Sequence, residues 1–410
     1  MRKLVVSGVM FLLLISTLVA TVKIRSAKAE WTGTVYIRAN GQVDPVTAPI
    51  TVVDNKTYVF IGDITGSLIV ERDSIIVDGA GHIIEGTDEG INLNKNYVEI
   101  KNLVVKGFRY GIHLYTDNNI IHDNTVVNCQ YGIYLSSYSE TNKVFRNKVN
   151  GNNYGISISG TDNRIYGNII KSNNYAIRVF GDDAKIFANF IEDNQYGLYL
   201  DQYSGNTHVY HNAFLSNNYQ ISGDYRLAKY DDGYPSGGNF WDGYAGVDAD
   251  GDGIGDIPYS IGSSVQDGYP LIAPLYLCYA GTWEGVDYYV EIISNSQISN
   301  FQFNPEGVYI KFDFEGTTGF CRVTIPKNLL WAEDGWTVRI DGQNVNYKII
   351  PHATKTFLAF SYSGREAQIY GTGSIPEFPS TLILALFILV TLIATTLLKA
   401  KRKRQFPYSP

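Results

Sequence analysis

Across residues 102–221 the apolar positions come in short alternating runs cut by Asn and Gly, not at helical spacing. One unit recurs: an aromatic residue, then Gly, then an apolar–x–apolar triplet. It reads Tyr110-Gly111-Ile112-His113-Leu114, Tyr131-Gly132-Ile133-Tyr134-Leu135 and Tyr154-Gly155-Ile156-Ser157-Ile158. It continues as Tyr175-Ala176-Ile177-Arg178-Val179 and Tyr196-Gly197-Leu198-Tyr199-Leu200. Gly90-Ile91-Asn92-Leu93 precedes the block, and Tyr219-Gln220-Ile221 ends it. The Gly-position residues lie 21, 21, 23, 21, 21 and 23 apart.

That period is too short for helical repeats, which need roughly 33 residues or more. Short β-branched runs bounded by Asn and Gly read as strands and turns. One coil cannot bury its own apolar face, whereas stacked coils can, so the pattern predicts a right-handed parallel β-helix rising about 4.8 Å per coil. A second register, Asn102, Asn124, Asn147, Asn168, Asn189 and Asn212, predicts a ladder of inward side-chain amides. The Gly register is read as permissive backbone where a turn enters a strand. The positions that should point outward are Asn92, His113, Tyr134, Ser157, Arg178 and Tyr199, flanked by one tyrosine per coil.

The remaining patterns divide the chain further. Residues 1–29 read as a signal peptide: Arg2 and Lys3, an apolar run, then Ala27-Lys28-Ala29; an uncleaved anchor is the alternative. The β-helix is assigned to 30–237, with a terminal cap expected at Trp31 to Ile61. Residues 238–274 form an acidic loop segment and linker. Residues 275–374 carry short β-rich runs separated by turns and predict a small β-sandwich. Residues 375–410 contain Pro376-Glu377-Phe378-Pro379, an uncharged run from Thr381 to Leu398 and a basic cluster, which predict a C-terminal transmembrane helix with a cytoplasmic tail.

Charge sharpens this picture. Ten of the 33 Lys and Arg lie in residues 1–29 and 399–410, where there is no acid. The part between carries 23 basic against 40 acidic residues, a formal −17. Such a surface opposes nucleic-acid binding and suits divalent cations. In Asp248-Ala249-Asp250-Gly251-Asp252-Gly253-Ile254-Gly255-Asp256, carboxylates alternate with a Gly at the tight bend, as in a calcium loop. Asp248, Asp250, Asp252, the Ile254 carbonyl and Asp256 are the expected ligands. Tyr259 occupies the twelfth position, where a bidentate Glu belongs, so Asp242 and Asp267 are candidates to complete the set. Cys129 reads as a buried small hydrophobe. Cys278 and Cys321 can pair or remain free.

Two readings of chemistry compete on the repeats. Asp162, Asp182 and Asp183 cluster on one turn, with Arg178 and Asp201 near them, and closely paired carboxylates can run glycoside chemistry. Asp also favours turns for purely local reasons. The mixed aromatic and polar row of His113, Tyr134, Arg178 and Tyr199 suits a carbohydrate surface, while stacked tyrosines also brace a solenoid. As histidines, His113, His122 and His211 sit at three unrelated repeat positions and are read as incidental.

The repeat block resembles the NosD-like, carbohydrate-binding and sugar-hydrolase (CASH-type) group of right-handed parallel β-helices over about Leu68 to Ile221. The Gly238-Asn239-Phe240-Trp241 segment and the acidic loop look like the closing segment of such helices in archaeal surface proteins. The end resembles a PEF-type sorting signal, which implies an archaeal cell surface and processing by an archaeosortase. Copper, tied to NosD itself, is not carried over, because two Met, six His and three Cys are scattered without clustering. The expectation is an exported, membrane-anchored protein that binds an extracellular polysaccharide or envelope component, with structural calcium. A polysaccharide lyase, hydrolase or epimerase is the alternative.

Overall fold

The structure, a computed structural model, describes residues 31–375. The predicted signal peptide, the Pro376–Pro379 motif and the predicted membrane span lie outside the described residues. Among the described residues no helix is long and apolar enough to cross a membrane, and a 3-10 turn at Tyr225–Leu227 is the helical element.

The repeats form a parallel β-helix with three faces per coil. In one coil the first face is Tyr110–Leu114, the second Ile120–His122 and the third Thr125–Val127. Each strand pairs in parallel with its counterpart in the next coil, so Tyr110 pairs with Tyr131, then Tyr154, Tyr175, Tyr196 and Tyr219. Ile112, Leu114, Ile121 and Val126 point inward at 0% exposure and stack on the same positions above and below. Trp31–Ile37 already pairs in full register with Ile64–Val70, so the first-face stack begins there.

The corners fix the register. Between the second and third faces, Asn124, Asn147, Asn168, Asn189 and Asn212 form the expected buried ladder. Each backbone N–H and each side-chain amide donates to the Oδ1 of the next Asn at 2.9–3.1 Å. Each Nδ2 also donates to backbone carbonyls of its own and the preceding coil, as Asn168 does to Tyr166 and Val144. Every polar atom of the row is therefore satisfied, as burial demands.

Asn102 is a correction: it is exposed with φ +56°, and the ladder position of its coil is Leu103, whose N–H donates to Asn124. Asn suits the left-handed region, and the residue before each rung adopts it, as in Asp123, Arg146 and His211. Two further amide rows occupy the other corners and were not anticipated. Asn119, Asn142 and Asn163 form one. Asn152, Asn173, Asn194 and Asn217 form the other.

The first-face glycines also work differently from expectation. A Cβ on Gly111, Gly132 or Gly155 would meet the next coil's carbonyl oxygen at 2.6 Å. None of the three has positive φ, so close approach, not backbone freedom, favours Gly there.

Beyond residue 237 the helix gains one more rung. Phe240–Trp241 pairs in parallel with Ala213 and Phe214, and Asn212 donates to Asn239. Leu275 to Tyr370 then builds two five-stranded antiparallel sheets around Val290, Phe312, Val323, Leu358 and Ile369. Cys278 and Cys321 are free thiols. This unit lies against the flank of the β-helix. Leu275, Leu277 and Ile293 pack with Phe187 and Ala188, Tyr276 meets Phe190, and Tyr289 meets Tyr166 edge-on.

Asn168→Leu removes one rung and leaves buried partners on both sides unpaired, which should destabilise the protein by roughly 1–3 kcal/mol. Urea melts that do not shift would contradict the ladder.

Candidate functional site

The first face carries a row of half-buried tyrosines beside a mixed row of aromatic and polar groups. Its tyrosines stack ring on ring, with centroids 4.6–5.2 Å apart and planes within 19°. Ring faces in this row are covered by their neighbours, so the row braces the coils. Its hydroxyls have no hydrogen-bond partner among the described residues and form an outward row of donors and acceptors.

The neighbouring row differs coil by coil. Tyr134 and Tyr199 are half-buried, and Tyr199 stands edge-on to Tyr175 at 89°, outside the stack. Arg178 lies among rings, with its guanidinium carbon 5.0 Å from the Tyr154 centroid, 4.1 Å from Phe180 and 5.5 Å from Tyr199. It makes no ion pair or hydrogen bond within the described residues, and its Nε is buried without a partner. His113, expected to point outward, is covered to 5% exposure by Tyr110, Tyr115 and Tyr134. Its Nδ1 lies 3.4 Å from Glu89. Burial lowers its pKa against the pull of Glu89, keeping the ring neutral. Tyr115, whose hydroxyl donates to Glu89, is pushed up to about 12, first by burial and then by that carboxylate.

Two residues missed from the sequence extend this face. The 23-residue coils each insert two residues in the turn between first and second faces, and those turns project Tyr138 and Tyr203, 80% and 67% exposed. The signal was present as unequal spacing, but it reads only once the turn is located.

The candidate carboxylates have structural duties. Asp162 and Asp183 occupy the left-handed corner position, φ +49° and +58°, immediately before the amide-row positions Asn163 and Ala184. Asp182 accepts from the Gly205 N–H at 2.7 Å. Arg178 and Asp201 form no ion pair.

In the acidic loop, Asp248, Asp250 and Asp252 bring ligand oxygens within 4.8 Å of one another. Asp248 accepts from the N–H groups of Gly251, Asp252 and Gly253; burial, aided by Asp252, nevertheless raises its pKa. Asp250 is ion-paired to Lys348 at 3.0 Å, which holds its pKa down. Asp256 accepts from Ala249. Gly253 has φ +88°, and a Cβ there would meet Phe320 at 3.0 Å. The buried Arg322 of the sandwich donates to the Asp252 and Ser236 carbonyls. Its burial lowers its pKa to about 10.

Asp242 and Asp267 do not turn toward this loop. Asp242 accepts from Ser216. Asp267, fully buried, accepts from Asn239 N at 2.7 Å and Trp241 Nε1 at 2.9 Å, so its carboxylate takes the place of the next Asn in the ladder. Trp241 stacks between Phe214 and Tyr259 and closes the core. His122, read as incidental, heads a second ring stack through Phe145, Tyr166, Phe187 and Tyr210 on the second face.

Burial raises the Asp267 pKa to about 6, against its hydrogen bonds. A raised carboxyl pKa favours the folded state below the unfolded value, and that contribution is lost as pH rises through about 6. The melting temperature of the native protein minus that of Asp267→Asn should therefore fall between pH 4 and 7. A constant difference would show an ordinary Asp267.

Comparison with known proteins follows this geometry. Residues 50–246 match the family described as periplasmic copper-binding protein (NosD). No curated protein matches the chain. Among solved structures it is similar to the periplasmic alginate epimerase AlgG, at 14% identity over 50% of this chain and 76% of that one, TM-score 0.25. It is also similar to the Dettilon tailspike protein, at 11% identity over 83% and 85%, TM-score 0.28. A Geobacillus virus E2 protein aligns at 12% identity over 78% and 70%, TM-score 0.28. Likeness at this level bears on none of the side chains above. Copper does not fit the residues present: among the described residues the one close group of potential metal ligands is the Asp248–Asp250–Asp252 carboxylate set, which suits hard cations. Residues 50–246, the part that the NosD family model matches, thus form a right-handed parallel β-helix.

Proposed function

We propose that this is an exported β-helix protein that binds extracellular carbohydrate along its first face, with calcium in the acidic loop. One observation carries the reading. Tyr134, Tyr199 and Arg178 are half-buried and lack polar protein partners, beside a row of free tyrosine hydroxyls and between the projecting Tyr138 and Tyr203. Sugar rings stack on open aromatic faces, and their hydroxyls need donors and acceptors at close intervals. Arg178, desolvated on one side by four rings, keeps guanidinium N–H groups for a sugar oxygen.

Export fits a family described as periplasmic. A C-terminal membrane tether, its exchange for lipid by an archaeosortase-type enzyme, and an archaeal cell surface belong to the same proposal. They rest on the sequence of residues 375–410. A lyase, hydrolase or epimerase has less support, because Asp162 and Asp183 serve the corner turns.

Calcium would be held by Asp248, Asp250, Asp252, the Ile254 carbonyl and Asp256. The convergent carboxylate oxygens of Asp248, Asp250 and Asp252, with Asp248 raised chiefly by burial, form a site whose negative charge a divalent cation would neutralise. Lys348 partly fills that role, and Arg322 ties the loop to the sandwich, so a bound ion would stiffen the junction.

On a glycan array, full-length protein should retain defined oligosaccharides. For the best of them, Tyr199→Ala and Arg178→Ala should each weaken binding about tenfold, ~1.4 kcal/mol. Unchanged binding in both variants would remove the first face as the site. With a dissociation constant of roughly 0.1–1 mM, 10 mM calcium should stabilise the fold by roughly 1.4–2.7 kcal/mol. Calorimetry should show that rise lost in Asp252→Ala; equal melting in calcium and chelator would leave the loop an acidic turn.

A further inference from the structure

The second face carries a feature at odds with the acidity of the whole. Lys143, Arg164 and Lys185 pair in register on three consecutive coils. Their charges therefore recur at about one strand spacing, roughly 4.8 Å. None of the three makes an ion pair or hydrogen bond within the described residues. Like charges directly opposite one another on adjacent strands oppose pairing. Some neighbouring basic side chains are neutralised locally, as Arg146 is by Asp123 at 2.6 Å and Lys171 is by Glu192, whereas these three unpaired cations stand in one register row.

The row borders a cleft. The hairpin formed by Leu275–Trp283 and Val286–Ser294 leans over the second face and leaves a space of about 470 Å³. Lys143 and Arg164 line one side of it, and Tyr166, Phe187 and Tyr289 line the apolar walls. Two carboxylates also face it. Glu291 is held by Lys355 at 3.2 Å, and Asp287 accepts from the Thr282 hydroxyl. Neither reaches the three cations as an ion-pair partner. The cleft therefore has two cations without ion-pair partners on one side, continued by Lys185 beyond it, with Asp287 and Glu291 opposite and aromatic walls.

We infer that this cleft is a second binding site, independent of the first face, and that it takes an anionic oligosaccharide bearing carboxylate or sulfate groups. The spacing selects the class. An extended peptide presents same-side residues about every 6.6–6.8 Å, out of step with cations one coil apart. A linear sugar chain can present one acidic group per ring at nearly the coil spacing. Tyr166, Phe187 and Tyr289 offer apolar surface to ring carbons, and the cations bind the acidic groups in sequence. Bulk acidity bears equally on any polyanion, a nucleic acid included, so the choice of class rests on the cation spacing and the aromatic walls.

The test is calorimetric titration of the full-length protein in detergent with a hexameric oligouronate and with its neutral counterpart. The oligouronate should bind at least tenfold more tightly, and its affinity should fall with salt. Combining Lys143→Gln, Arg164→Gln and Lys185→Gln should lower that affinity at least tenfold and flatten the salt dependence, with the melting temperature unchanged because the three side chains reach into solvent. Lys143→Arg with Lys185→Arg should keep it, and Lys56→Gln, at the far end of the same face, should have no effect. Equal affinity for the neutral oligomer, or undiminished affinity in the triple variant, would overturn the site. Equally tight binding of polyglutamate or of a single-stranded oligonucleotide would overturn the ligand class.

Discussion

The buried side-chain amide is the interaction on which this structure depends. A stack of parallel strands with apolar interiors has weak means of choosing its register, since a slip of two residues returns apolar groups to the core. A saturated Asn row removes that freedom. Each Oδ1 receives a backbone and a side-chain donor from the preceding coil, and each Nδ2 donates to the next rung's Oδ1 and to carbonyls of its own and the preceding coil. A slipped coil would leave several buried polar groups unpaired at once. Three such rows, one per corner, hold the coil at three points, and at the last rung a carboxylate, Asp267, supplies the oxygen that a further Asn would have given.

Once the register is fixed, every outward position becomes a row. Identical residues then make uniform ladders, as the six first-face tyrosines do, and these are structural because their faces are mutually covered. The surface chemistry changes where the rows are broken. Arg178 interrupts the aromatic row with an unpaired cation, the two long turns project Tyr138 and Tyr203, and the second face aligns three cations beside the sandwich. A solenoid of this kind sets distances to one strand spacing and lets single residues per coil determine chemistry.

Much of this was legible in the sequence. The 21- and 23-residue period gave the coil, Tyr-Gly-Ile-x-Leu gave the first face, and Asn124 to Asn212 gave one ladder. What escaped had physical causes. Asn serves both the left-handed corner and the amide row, so Asn102 was placed one residue out of step with Leu103. The other two rows are hidden because Cys129, Ala184 and Thr207 interrupt their pattern. Asn239 follows Asn212 by 27 residues, outside the period, because the chain makes an excursion before returning to the stack. The lateral seat of the sandwich depends on Leu277 and Tyr289 meeting the second face and on Arg322 meeting the loops at Ser236 and Asp252, and no local pattern announces a contact between residues so far apart. Asp162 and Asp183 carried a carboxylate signal that the corner conformation accounts for.

Native-state hydrogen exchange tests most directly whether the amide rows hold the coils in register. The backbone N–H groups of Asn147, Asn168 and Asn189, each donating to a buried side-chain oxygen rather than to a strand, should exchange only through global unfolding, with protection equal to that of Ile156 and Ile177 in the first-face strands. Exchange of those three amides at the rate of the exposed turns, while the strands stay protected, would show that the rows are a consequence of the stack and not what holds it.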